Sequence, residues 1–348
     1  MERLHSCKEE EKLTQSSKTQ KYRGPRIEVQ KEKVTTREKL IASKLSGFFE
    51  ILLTTKSHLH VGGEEFKPDF PKEYYKKVRQ SESVVADFDK LTAEAPPSRK
   101  DIKGLYKIKS RVAIPGRTLK GLARKNIELT LKPINNIVPS CFIISDSYYQ
   151  RNKVQKHKAY YYTPLSKEIT IRNKCRPLKI KPFYDLTRNE VCTTCQLFGT
   201  MGLRSLISFE PAIIAQPDPS QIITVKHEHG GHIELIVPNQ TFFTKATFLN
   251  LSAAELGLLI YIGLRFQRQQ LLRIGFRKYS SLFFKEQQKS IQMGRVSVSI
   301  SKLVVNNNPY SENELQEYLN QKILPKMTKK YGRFLPDTLV KERGFKND

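Results

Sequence analysis

The chain has 348 residues, room for one large domain or two small ones sharing an interface. Apolar residues make up 38% and charged residues 27%, enough for a core, while 61 Lys+Arg against 34 Asp+Glu leave a net charge of +27. No run of eighteen apolar residues exists, which excludes a membrane-spanning helix, and the charges after Met1-Glu2-Arg3-Leu4-His5 give no sign of a secretory signal.

So large a positive excess implies a polyanionic partner, because a free protein gains nothing from self-repulsion. The alternative is a thermophile-like surface rich in lysine, but here the basic residues are clustered. A membrane surface would also attract cations, yet no strongly basic amphipathic helix stands out. The five cysteines are odd in number and irregularly spaced, which argues against a disulfide framework and for a reducing cytoplasm.

In chain order, residues 1–44 mix Lys, Glu, Gln, Ser and Thr and read as a disordered or extended arm. Gly47 to Thr55 is rich in strand formers and runs through Leu59 and Val61 into the Gly62-Gly63 turn. Residues 64–100, with four prolines and two aromatic patches, form a long excursion from the core. Tyr106 to Ile114 alternates as a strand, Pro115-Gly116 stops it, and Thr118 can cap a helix reaching about Leu131. Its inner face would carry Leu119, Leu122, Ala123, Ile127 and Leu131. Residues 132–190 look like a second insertion. Leu206–Phe209 and His232–Val237 are further strands, and Ser252-Ala253-Ala254-Glu255 is a capping box opening a helix to about Phe266. Arg295–Ile300 alternates as a last strand, and Ser311 begins a final helix interrupted near Pro325. Strands and two principal helices in this order predict an α+β fold. An antiparallel, ferredoxin-like (RRM-like) sheet would carry the helices on one face and be elaborated by the insertions. The expected organisation is an arm over 1–44, a domain over 45–302 and a helical extension over 303–348.

Four stretches carry chemistry. Where the strand turns at Pro115-Gly116 into a helix, Arg117, Thr118 and Lys120 stand at its head with Arg124 and Lys125 behind. Free N–H groups and five such residues suit a phosphate; a plain helix cap with solvated cations is the alternative. Cys192 and Cys195 offer two ligands of a structural zinc, with Cys175 and His157 as the nearest partners and Cys141 in reserve. The alternative is two small buried residues anchoring a turn. From Leu271 to Arg295, the basic residues Arg273, Arg277, Lys278, Lys285, Lys289 and Arg295 interleave with aromatics, a pattern suited to single-stranded RNA. A basic hairpin packing its phenylalanines inward fits the same residues. His60 before Gly62 and Gly63 is a general acid or base or, more commonly for a lone histidine, structural. His227, His229 and His232 cluster around a turn without an obvious fourth metal ligand.

Together, Leu59-His60-Val61-Gly62, Ile114-Pro115-Gly116-Arg117-Thr118-Leu119-Lys120-Gly121, Cys192-Thr193-Thr194-Cys195-Gln196-Leu197-Phe198-Gly199 and the basic run at Ile274–Lys278 resemble the RAMP superfamily. Its members are RNA-binding subunits of CRISPR effector complexes, especially of type III. The resemblance implies a ferredoxin-like fold, guide RNA held by the Ile-Pro-Gly segment, target RNA, and neighbouring RAMP subunits as partners. Family members usually read Ile-Pro-Gly-Ser-Ser-Leu-Lys-Gly where this chain has Arg117 and Thr118, some bind zinc near the Cys-x-x-Cys, and many have more glycine around residue 275. It also implies target-RNA cleavage by an aspartate after the first strand, with a divalent metal if the chain is catalytic. The matching loop offers Asp69, Asp87 and Asp89, none in the family's Asp-x-Pro-Val context. A subunit that binds guide RNA without cutting fits equally well. A RAMP-type endoribonuclease processing CRISPR precursor RNA ranks second, and a general RNA chaperone third.

Overall fold

Along Leu45–Thr55 (β1), Phe49, Ile51, Leu53 and Thr55 are buried while Phe48, Glu50, Leu52 and Thr54 stay partly open. The two-residue period places one side of the strand on a core. In the computed structural model, which describes residues 26–63, 102–141, 170–171, 175 and 190–336 apart from 201, 217, 227–231, 267–270, 279–280 and 285–288, β1 lies inside the largest sheet. The other members are β2 (Lys107–Ile108), β3 (Arg111–Ile114), β4 (Ile207–Phe209), β5 (Ala212–Ile214) and β6 (Thr241–Leu251). They are joined by β7 (Leu272–Arg273), β8 (Arg295–Val305) and β9 (Asn308–Tyr310). The order is β7-β8-β1-β6-β5-β3-β2, with β4 also beside β6 and β9 beside β8. Every pairing in it is antiparallel.

One face of this sheet is covered by helices. α1 (Gly116–Thr130) buries Leu119, Leu122, Ala123 and Ile127, the positions its period assigns inward, and ends at Leu131 as expected. α2 (Thr193–Phe198) is wholly buried. α3 (Ala253–Gly257) starts on the expected capping box and continues as a π-helical segment, Leu258–Gly263. Asn126 Nδ2 donates to the Gly263 carbonyl at 2.7 Å, which fixes α1 against that segment. At the C-terminal side, α4 (Glu312–Tyr318) passes through a π turn, Leu319–Ile323, into α5 (Leu324–Tyr331). Pro325 lies in the first turn of α5, where its missing N–H costs nothing. The opposite face carries half-buried residues, among them Phe48, with the Lys245 ammonium 4.0 Å from its ring centre.

Four expectations change. Residues 106–114 form a hairpin instead of one strand, because Lys109 and Ser110 both take positive φ (46° and 66°) and turn β2 back on β3. α1 begins at Gly116 on Pro115, so Thr118 lies inside the helix and caps nothing. β6 is absent from the expected series because Thr244 and Asn250 share its buried face with Phe242, Ala246 and Phe248 and blur the alternation. The described part of the arm is packed: Val29 and Val34 are buried, and Asn250 donates to the carbonyls of Thr36 and Lys39 at 3.0 and 2.8 Å. A mixed α/β architecture with an antiparallel sheet and helices therefore stands.

Candidate nucleic-acid interface and cysteine centre

α2 begins where Cys192, in extended conformation, accepts a hydrogen bond from the Cys195 amide. That turn brings two sulfurs together, and Cys141 and Cys175 supply two more. All four Sγ atoms lie within 4.8 Å of one another, and Cys141 Sγ is 3.4 Å from Cys195 Sγ. Four thiolates about 2.3 Å from one zinc ion stand roughly 3.8 Å apart at tetrahedral angles, so the donor set fits that metal. Backbone amides of Cys141 and Cys195 point at Cys192 Sγ (3.3 and 3.4 Å), and the Cys192 amide points at Cys175 Sγ (3.3 Å). Such N–H donors stabilise thiolate. Hydrogen bonds from Cys141 and the other thiols hold Cys175 far below its ordinary range, while those involving Cys141 and Cys175 push Cys195 up. The fourth sulfur is that of Cys141; the other expected ligand, His157, lies outside the described residues.

The centre is tied to α1 through one side chain. Arg124 Nε donates to Glu128 Oε1 at 2.7 Å, Nη1 to the Gly199 carbonyl at 2.9 Å and Nη2 to Cys195 Sγ at 3.5 Å. Lys125 Nζ takes the second Glu128 oxygen at 2.6 Å, and the Glu128 side chain is completely buried. Two of the cations expected to face phosphate thus share one internal carboxylate. The spacing i, i+3 and i, i+4 to Glu128 signalled this in the sequence.

The head of α1 is divided. Gly116 is buried so tightly that a Cβ would overlap the Phe209 carbonyl, and Pro115 is buried with it. The turn itself is therefore packed on protein. Beyond it, Arg117 and Gly121 are exposed and Thr118 and Lys120 half-buried. Among the described residues Lys120 has no acidic partner. Burial, then the neighbouring Arg124 charge, lowers its pKa.

His60 is buried, its Nδ1 2.8 Å from the Glu234 carbonyl oxygen, and the Phe276 ring meets it edge-on at 5.9 Å. Phe276 also donates its amide to the His60 carbonyl at 2.8 Å, and Gly275 (φ +84°) permits the close approach. His60 is thereby a packed element joining the two expected stretches. Around it, Lys103 and Arg277 flank the Phe276 ring, and Arg273 lies opposite Arg295 in the β7–β8 ladder. Lys278 is close enough to Lys125 for their charges to oppose each other, after burial, in lowering its pKa. Gly62 is exposed and Gly63 half-buried, so this basic group borders the loop after β1. Asp69, Asp87, Asp89, His227 and His229 lie outside the described residues. Arg37 and Arg204, which no motif marks, stand with Lys120 around one cleft.

A family model described as the RAMP superfamily matches residues 52–346. No curated protein matches the sequence. Among solved structures, Csc2 of Thermofilum pendens is 13% identical with a TM-score of 0.34, covering 85% of this chain and 80% of that one. A type IV-B CRISPR complex is 9% identical with a TM-score of 0.34, covering 73% of this chain and 90% of that one.

Proposed function

Because the chain belongs to the RAMP superfamily, we propose that it is a guide-RNA-binding subunit of a type III CRISPR ribonucleoprotein in antiviral defence. It would act in the cytoplasm beside neighbouring RAMP subunits and bring guide and target RNA together. The reading rests on the flank of α1, where Arg117 and Lys120 stand without a carboxylate among the described residues, with Lys278 of the downstream basic run close to the same helix at Lys125. A cationic row of this kind follows a phosphate backbone without reading bases. The β8-β1-β6-β5 order, with α1 after the first of its strands and α3 after β6, supports a ferredoxin-like core. The four cysteines fit a structural zinc, which would brace α1 through Arg124 and take no part in RNA contact. If this subunit cuts target RNA, Asp69, Asp87 or Asp89 would carry the step, which is separable from binding; a subunit that binds without cutting fits equally well.

Binding of labelled single-stranded RNA to the full chain across a salt series tests the reading. The logarithm of affinity should fall steeply with log salt, and Arg117→Glu should weaken binding alike for unrelated sequences. Salt-insensitive binding would refute the phosphate model. Site-specific cutting of CRISPR precursor RNA by the isolated chain would favour a processing endonuclease instead.

A further inference from the structure

A cleft of about 750 Å³ opens between α1, the turn that follows α2 and the flank of β4 and β6. That is ample for one nucleotide. Its cations come from three separate places: Lys120 from α1, Arg204 from the turn after α2, and Arg37 from the segment that precedes β1. Among the described residues no carboxylate lines it, and Thr200, Ser208 and Thr247 also border the space.

Arg37 is the informative member. Its guanidinium is held by the Arg204 carbonyl at 3.0 Å, the Gln196 carbonyl at 2.9 Å, the Gln196 side-chain oxygen and the Thr35 carbonyl. All of these acceptors are neutral, so the planar fork is fixed while, among the described residues, no ion pair compensates its charge. Burial lowers its pKa to about 10 despite the pull of the more distant Glu255. Lys120 is shifted the same way. Cations gathered in one partly desolvated cleft, with no acid among its described lining residues, leave a field that favours a bound anion.

We propose that this cleft seats one phosphodiester of a single-stranded RNA, with Lys120 and Arg204 contacting the phosphate and Arg37 forming a fixed positive wall. The inference rests on the RNA-binding reading above and locates one contact within it. The residues before β1, instead of trailing from the domain, complete the seat. Asn250 holds them in place by accepting from the Ile41 amide at 2.9 Å as well as donating to Thr36 and Lys39.

The test uses the full chain with added zinc, a 5′-labelled twelve-nucleotide RNA carrying one 4-thiouridine, and anisotropy at several salt concentrations. Arg204→Gln changes an exposed side chain and Lys120→Gln a half-exposed one, so both should fold as the parent does. Each is expected to weaken binding about tenfold and to reduce the salt slope by about 0.7, the share of one phosphate on a single strand. Irradiation should cross-link the RNA to the peptide containing Gly199 and Arg204. If the parent binds RNA with steep salt dependence but both variants match it and the cross-link falls elsewhere, the cleft assignment is overturned and RNA binding stands. If the parent shows no salt-dependent RNA binding, both fall together.

Discussion

Replacing Arg124 by Met tests whether the link between α1 and the cysteine centre holds the molecule together. The substitution removes a 2.7 Å bond to Glu128, a 2.9 Å bond to the Gly199 carbonyl and the 3.5 Å contact with Cys195 Sγ. Hydrogen bonds to charged groups contribute about 1.5–3 kcal/mol each, and breaking a buried ion pair from one side costs about 3–5 kcal/mol. Glu128 keeps Lys125 at 2.6 Å, so the lower end applies, about 3 kcal/mol. With an unfolding entropy of about 2.1 cal/mol/K per residue, that lowers Tm by roughly 4 °C. Urea unfolding followed by circular dichroism in saturating zinc reads the loss. Adding Glu128→Leu should recover most of it, because an apolar pair of similar volume suits a buried site. A single-variant cost below about 1 kcal/mol, or a double variant no more stable than the single, would refute the argument.

Elemental analysis of the purified chain should find one zinc per molecule; Cys141→Ser and Cys175→Ser should each abolish it, and a strong chelator should lower Tm. Retention of zinc by Cys141→Ser would remove that residue from the centre. Two glycines of α1 should part company: Gly116→Ala forces a Cβ into the Phe209 carbonyl and should cost about 2 kcal/mol or more, whereas Gly121, with open space around it, should gain up to about 1 kcal/mol on becoming Ala. Thermal denaturation of both variants checks the contrast. Burial lowers the His60 pKa, against a hydrogen bond with the Glu234 carbonyl that raises it and with Lys103 also lowering it. The folded chain therefore binds fewer protons there than the unfolded one. Its contribution to stability is complete above about pH 6.5 and is lost as pH falls below that value. His58, depressed by burial, has the same sign. Urea midpoints between pH 5 and 8 should decline on the acid side, less so in His60→Gln; an unchanged decline would sink the assignment.

Local chemistry made some of this readable from residue order. The inward face of α1, the capping box at Ser252 and the alternation of β1 each depend on neighbours within a turn or two, and each matches its pattern. What escaped depends on distant residues. β6 buries Asn250 because that amide reaches Thr36 and Lys39, partners more than 200 positions away that no window could include. The β2–β3 hairpin hides in a run that alternates throughout, since Lys109 and Ser110 carry no glycine or asparagine to announce the turn. Cys192 and Cys195 advertised a centre, but their partner Cys141 is separated from them by a long insertion. Arg37 and Arg204 belong to no motif and meet Lys120 only in three dimensions.

The four sulfurs also act as a clasp at the foot of the long insertion. Cys141 and Cys175 fall within residues 132–190 and Cys192 just past them. Bringing Cys141 and Cys192 into one cluster fixes the separation of those two points, whatever the length of sequence between them. Doubling a flexible loop costs only about 0.6 kcal/mol in closure entropy. Sequence can therefore be added or removed between Cys141 and Cys192 at little cost in closure entropy, with the two anchoring points unchanged.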